Sequence, residues 1–315
     1  MYDGNSRKLL REEIECSVSL LSEGLCDHIR EPLMVSRRAL AVEDEHEPPW
    51  VLLPAVVCGA ICGISEKAIP VCASLQFFMA AGDVFDDIED NDSPLSLCSK
   101  YGTAITNNIA TTLLVLGEKA IARLKDRDIE EKTIVRILET INSYYLTACA
   151  GQHLDLSCGN KINISEDDYL RILSLKSASQ IECACYTGSI LATDNEEIYD
   201  IFKEFGYNLG MMAQIINDIS GIINEKDLLN KKITLPVIFA LSQTEDANHK
   251  QLRDYYINRL YSTTGKEQTL KILSDTGAIH YTAIKLESYK IYASDALDKA
   301  DRAGINTKRL RDFLK

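Results

Sequence analysis

From Leu75 the chain runs through Phe77, Phe78, Met79, Ala80 and Ala81, then places six carboxylates in ten residues: Asp83, Asp86, Asp87, Glu89, Asp90 and Asp92. A helix that is apolar all round belongs in an interior. Carboxylates at the end of such a helix repel one another and resist losing water. The stretch therefore demands a buried helix that opens on a cavity, with positive charge supplied there. Asp83, Asp86, Asp87 and Asp90 fall at i, i+3, i+4 and i+7, one helical face. A solvated acidic face is the plainer alternative, and the apolar residues before it argue against that. Oxygen-only ligands suit Mg²⁺, which would offset the charges.

The remaining sequence fits an interior of helices. Helical periodicity dominates, and strand alternation is absent. The pattern predicts a first amphipathic helix over 5–29, a broken segment over 30–50 interrupted by Pro48-Pro49, and an apolar helix over 50–63. Ser65 is placed to cap the next helix, with Pro70 early in it, and that helix carries the acidic stretch. Further helices are predicted over 103–124, 128–156, 165–192, 195–224 and 234–242, with several more ending near Leu314. No Ser/Gly-rich linker divides the chain, so one all-α domain over 1–315 is expected, a large bundle with buried central helices. The net charge of −13 excludes nucleic acid as a partner and disfavours an anionic membrane. No apolar run reaches the length of a membrane span. The amino terminus, MYDGNSRKLLREE, is polar and has no signal-peptide pattern. Of the ten cysteines, Cys58, Cys62, Cys72, Cys149, Cys183 and Cys185 lie in apolar runs, where a thiol behaves as a small hydrophobe. Cys58 and Cys62 lack a matching pair with zinc-ligand spacing. A soluble, reduced, cytoplasmic protein is expected.

A second polar stripe lies in QIINDISGIINE, Gln214 to Glu225. Asn217, Gly221 and Glu225 are four residues apart, with Asp218 adjacent and Gln214 one turn before Asp218. Alone this is a helix with a polar seam. With the first motif it makes the opposite wall of a metal site. Lys176 sits in a mostly apolar helix, Gln152 and Asp155 close another in GQHLDL, and Lys231 and Lys232 follow the second acidic stretch. Two acidic faces, Mg²⁺ and lysines suit a diphosphate, with metals bridging carboxylate to phosphate and the lysines and Gln214 taking the remaining oxygens.

DDIED, GQHLDL, LKSAS, GMMAQIIND and KKITLPVIFAL, in that order over roughly 51–241, resemble the trans-isoprenyl diphosphate synthase (polyprenyl synthetase) superfamily. The resemblance implies an isoprenoid-synthase-type helical bundle around a central cavity, a homodimer, and an allylic prenyl diphosphate bound by three Mg²⁺ and ionised. It carries metal binding onto Asp86, Asp87 and Asp90, with Asp218 beside them, and diphosphate contacts onto Lys176, Gln214, Lys231 and Lys232. Asp86, Asp87, Lys176 and Gln214 are the expected catalytic set. Phe77, Phe78, Met79, Ala81, Gly82, Tyr145, Gln152, Ser177 and Tyr207 are the expected cavity lining, and Trp50 is a further aromatic candidate. Small residues at Ala80, Ala81 and Gly82 above a floor at Phe78 and Met79 suggest a farnesyl or geranylgeranyl chain, slightly toward the longer.

Two departures shape the expected reaction. Chain-elongating members resembled here carry GGKRxRP before the first motif and RRG after it. This chain reads EHEPPWV, Glu45 to Val51, and then NDSPLSLCSKYG, with no arginine in either. A second diphosphate would meet Glu45 and Glu47, a like-charge cost on the order of several kcal/mol in a partly desolvated site. NDISGIINE in turn resembles the metal motif of class I terpene cyclases, which by that resemblance makes Asn217 and Glu225 Mg²⁺ ligands and leaves Gly221 to a water. Both departures point to a cyclase that turns one allylic diphosphate into a terpene hydrocarbon or alcohol. The alternatives are a prenyltransferase to a peptide acceptor, a diverged prenyl diphosphate synthase, and an inactive regulatory subunit.

Overall fold

The computed structural model describes residues 4–35, 40, 50–90, 96–158, 163–243, 247–257 and 265–315, and every structural statement below concerns these. Glu45, Glu47 and the Pro48-Pro49 break lie outside the described residues, as do residues 91–95 after the acidic motif. Among the described residues there is no strand, so the all-α expectation holds.

The amino-terminal stretch forms two helices where one was expected, α1 (Gly4–Val18) and α2 (Glu23–Leu33). The break falls at Ser19–Ser22, where Ser22 leaves helical geometry at ψ 150° and starts α2. Next come α3 (Leu53–Cys62) and α4 (Ile69–Asp90). A 3₁₀ turn, Ser65–Ala68, precedes α4, so Ser65 opens that turn rather than capping the helix. α5 (Leu97–Tyr101) is short, and Ser96 caps it by accepting from the Ser99 N–H at 3.2 Å. α6 (Thr103–Ala122) and α7 (Glu131–Cys158) follow, then α8 (Glu166–Leu173) with Ser165 as its cap. A π-helical turn, Ser174–Ala178, leads into α9 (Ser179–Ile190). Asn195 caps α10 (Glu196–Ile223), which is followed by α11 (Lys226–Leu229) and α12 (Leu235–Gln243). The chain closes with α13 (Ala247–Ile257), α14 (Lys266–Asp275) and α15 (Ala278–Arg302).

Central α4 packs against α6, while α10 packs against both α9 and α15. Along α4, Val71, Cys72, Ala73, Phe77, Ala80 and Ala81 are completely buried. The stretch Ser65–Glu89 is long and apolar enough to cross a membrane, contrary to the expectation that no run reaches that length. However, 78% of its apolar window is buried in the fold, which marks it as a core helix. One hydrophobic cluster surrounds α4 and α9, and a second surrounds the carboxy-terminal half of α10 with α12 and α14. Leu286 and Tyr289 of α15 pack on both. Cys58, Cys72, Cys183 and Cys185 are buried free thiols, and burial pushes the Cys72 thiol up to about 12. Cys149 is exposed instead, because it faces the cavity described next.

Candidate active site

A cavity of about 1710 Å³ opens between α4, α7, the π turn and α10. From α4 it receives Phe78, Met79, Gly82, Asp83, Phe85, Asp86 and Glu89. The seven-residue repeat from Met79 through Asp86 sets this face, which is why Asp83 and Asp86 share it. Asp87 does not line the cavity, because one residue turns the side chain by roughly 100° around the helix. Asp90 ends α4, and its side chain lies outside the described residues. Phe77 and Ala81, expected as lining, point into the core instead and are fully buried.

From α7 come Tyr145, Ala148, Cys149, Gln152, His153 and Leu156, again one helical stripe. The rings of Phe78 and Tyr145 pack with centroids 4.5 Å apart and form the apolar floor. Gln152 Nε2 donates to Glu89 Oε2 at 2.6 Å, tying α7 to the acidic wall. Its Oε1 is buried without a hydrogen-bond partner among the described residues, an acceptor that a metal-bound water would satisfy.

Lys176 is the cation at the acidic end. Gly151 of α7 lets the π turn approach closely: a Cβ there would lie 2.4 Å from the Lys176 backbone nitrogen. Within that contact Lys176 Nζ reaches Asp155 Oδ2 at 2.9 Å and Asp86 Oδ2 at 3.4 Å, with its side chain 25% exposed. Burial alone would lower its pKa, but the charges of Asp86 and Asp155 outweigh that and raise it. The ammonium therefore stays charged. π turns of this kind recur at functional sites. Ser177, Gln180 and Ile181 line the cavity beside it.

α10 contributes Met212, Ala213, Gln214, Ile216 and Asn217. Asp218, expected as a metal ligand, is turned away from the cavity and is 6% exposed. The Tyr169 hydroxyl donates to both its oxygens at 3.0 and 2.9 Å, and the Leu235 N–H donates to Oδ2 at 3.2 Å. Burial pushes its carboxyl up to about 6 despite those donors. Asp218 thus joins α8, α10 and α12 rather than facing the cavity. Glu225, also expected as a ligand, lies off the cavity with φ +64° and pairs with Lys266 of α14. At Gly221 a Cβ would stand 1.9 Å from Asp227 Oδ2, so that carboxylate occupies the space beside it. Lys231 donates to the Tyr255 carbonyl at 2.7 Å and lies over the Tyr255 ring, away from the cavity. Lys232 is exposed and does not line it either, and Tyr207 packs with the second hydrophobic cluster.

The implied magnesium fits the residues present. Among the described residues no three carboxylate, histidine or cysteine side chains form a ready cage. The donors are hard oxygens on facing walls, Asp83, Asp86 and Glu89 on one and Asn217 on the other. Mg²⁺ keeps several waters and shares phosphate oxygens, so an open arrangement suits it.

Part of the cavity lining was not anticipated: Arg7, Lys8, Arg11 and Glu12 of α1, Val51, and Asp312, Phe313 and Lys315 line it together with Trp50, which was an aromatic candidate. The Trp50 and Phe313 rings pack 5.8 Å apart. The expected like-charge barrier to a second diphosphate rested on Glu45 and Glu47, which lie outside the described residues, whereas arginines and lysines from both ends of the sequence line the cavity. The only sequence signal was three cations clustered in the first half of a helix, where helix physics disfavours them.

The family model for polyprenyl synthetases matches residues 50–273. In sequence the chain is similar to the tryptophan prenyltransferase ComQ of Bacillus subtilis subsp. natto (strain BEST195), 29% identical over 229 residues that cover 70% of this chain and 67% of the relative. It is also similar to a geranylfarnesyl diphosphate synthase of Aeropyrum pernix, 26% identical over 280 residues, covering 85% and 86%. In structure it resembles the geranylgeranyl pyrophosphate synthetase from Pyrococcus horikoshii Ot3, with a TM-score of 0.81, 21% identity, and 98% and 92% of the two chains covered. That likeness bears on the fold.

Proposed function

The chain belongs to the polyprenyl synthetase family, and from that premise we propose that it is a prenyltransferase that ionises an allylic prenyl diphosphate at the acidic end of its cavity and passes the prenyl group to an acceptor. The observation that carries this reading is Lys176, a protonated side chain held between Asp86 and Asp155 in the cavity shared with Gln214 and Asn217.

Asp83, Asp86, Glu89 and Asn217 would hold magnesium, which when bound neutralises the diphosphate and draws electron density from its bridging oxygen. Lys176 offers its ammonium to the leaving oxygens, and Gln214 offers an amide N–H. Preorganised donors of this kind act where charge develops. The C1–O bond breaks with its electron pair going to the diphosphate. The π electrons of the acceptor form the new bond to C1, and the acceptor then loses a proton. Phe78, Met79, Leu114, Tyr145, Ile181 and Met212 line the trough for the prenyl tail and exclude water from the cation. The faces of Phe78 and Tyr145 can stabilise it by their quadrupoles.

Transfer is favoured over the cyclisation expected from NDISGIINE for two reasons. The similar proteins are named as prenyl diphosphate synthases and a tryptophan prenyltransferase. The cyclase-like stretch at the end of α10 and just beyond it is also occupied, the space beside Gly221 by the Asp227 carboxylate and Glu225 by Lys266. The test is incubation of the purified chain and Mg²⁺ with farnesyl or geranylgeranyl diphosphate, with and without isopentenyl diphosphate, followed by mass spectrometry. A longer diphosphate that forms only when both are present is expected. A cyclic hydrocarbon from the allylic diphosphate alone would sink the transferase reading.

A further inference from the structure

We propose that Gly210 of α10 is a positioning residue for the transfer: its backbone meets the π turn at Ala178 and so sets the spacing between Lys176 and Gln214, the two side chains offered to the leaving diphosphate. The proposal rests on the prenyltransferase reading and deepens it at the same site.

Lys176 and Gln214 belong to different elements, so no spacing along either one fixes their separation. Lys176 is the middle residue of the π turn, Ser174–Ala178, and Gln214 lies on α10. The two elements meet at Gly210. A Cβ there would lie 2.6 Å from Ala178 Cα and 3.0 Å from both its Cβ and its carbonyl oxygen. The Cα and the carbonyl oxygen are backbone atoms and cannot turn aside. Ala178 and Gly210 are both buried, and a close-packed interior transmits displacement rather than absorbing it. Gly210 stands one turn before Gln214 on the same stripe of α10, and Ala178 stands two residues after Lys176. Each half of the contact is therefore within about a turn of the donor it carries.

The π turn is braced in other ways too. A π turn takes its carbonyls out of the ordinary helical ladder. The Ser179 hydroxyl donates to the Leu175 carbonyl at 2.7 Å, and the Gln180 amide donates to the Lys176 carbonyl at 2.8 Å. On the α7 side Gly151 makes a comparably close approach to Lys176 itself. Glycines on two helices thus hold the turn. Gly151 refers Lys176 to Asp155 on α7, and Gly210 refers it to Gln214 on α10.

Gly206, one turn earlier on α10, offers an internal comparison. A Cβ there would lie 2.7 Å from Glu182 Cα and 2.9 Å from the Ile181 carbonyl oxygen. The approach is about as tight, but it lands on α9, beyond the π turn. If the glycines served only to seat α10, the two would be equivalent. If Lys176 must be placed against Gln214, Gly210 alone matters to the chemistry.

The test uses that difference. Mg²⁺-dependent diphosphate release from farnesyl or geranylgeranyl diphosphate with isopentenyl diphosphate is measured for the wild type, G210A, K176M, G210A/K176M and G206A, with urea unfolding to verify each fold. G210A is expected to lower kcat about 10²-fold, the cost of a shift of about 1 Å at a reacting group. The KM for the allylic diphosphate should move far less, because the magnesium wall still binds it. In the K176M background G210A should cost little more, since the group it positions is gone. G206A should destabilise the protein as G210A does, yet keep turnover much closer to the wild type. The proposal is overturned if G210A folds and turns over normally, if its loss multiplies with that of K176M, or if G206A lowers kcat as far. Should G210A fail to fold, Ala178→Gly loosens the same contact from the other side without a clash, and the cycle with K176M decides on the same terms. A wild type that releases no diphosphate sinks the prenyltransferase reading instead, before any variant is compared.

Discussion

Gly151→Ala is predicted to destabilise the protein and slow its chemistry, against the trend for helices. In a helix interior this substitution ordinarily stabilises by about 1 kcal/mol, because alanine loses less backbone entropy. Here the new Cβ would lie 2.4 Å from the Lys176 nitrogen and 2.8 Å from both the Leu175 carbonyl carbon and the Lys176 Cα. All three are backbone atoms and cannot rotate aside. Relief requires α7 and the π turn to separate by about 1 Å, and overpacking of that kind costs roughly 1–3 kcal/mol. The net expectation is a loss of about 1–2 kcal/mol, read from urea unfolding at equilibrium. The same shift loosens the 2.9 Å bond from Lys176 to Asp155 and the longer contact to Asp86. A displacement of about 1 Å at a reacting group costs about 10²-fold in rate, measurable as Mg²⁺-dependent diphosphate release. A Gly151→Ala protein that is more stable than the wild type and turns over normally would refute both the close approach and the role of Lys176.

Lys176→Met should lower turnover about 10²–10³-fold, the usual loss for one preorganised donor, and retention of full activity would remove Lys176 from the mechanism. Asp86→Asn should weaken Mg²⁺-dependent binding of an allylic diphosphate analogue more than Asp87→Asn does, since only Asp86 lines the cavity. The reverse order by calorimetry would show that the α4 face has been misassigned. Phe78→Ala should destabilise by about 3–5 kcal/mol and admit longer prenyl chains, because Phe78 is 4% exposed and forms the floor with Tyr145. An unchanged product length would place the floor elsewhere.

Much of the fold and half of the site were legible in the sequence. The apolar run before Asp83 required a buried helix with a carboxylate end, and α4 is that helix. Periodicity placed Asp86, Gln214 and Asn217 on polar stripes, Lys176 stood out as a lysine in an apolar helix and by the family resemblance, and all four line one cavity. Side-chain direction at stripe edges was harder. Asp87 and Asp218 each adjoin a cavity residue, but a rotation of one position put the first off the cavity and the second into the core against Tyr169. Lys231 and Glu225 do not line the cavity, and both have backbones with positive φ, a geometry that helical spacing does not anticipate.

Local chemistry along the chain thus determined an all-helical interior with an acidic wall suited to a metal-bound diphosphate, since helical period and charge density act within a few turns. Tertiary structure alone decided what faces that wall. Arg7, Lys8, Arg11 and Lys315 lie some three hundred residues apart at the extremes and share one cavity. Their meeting depends on how α1, Trp50 and Phe313 pack, a long-range outcome that no spacing rule encodes.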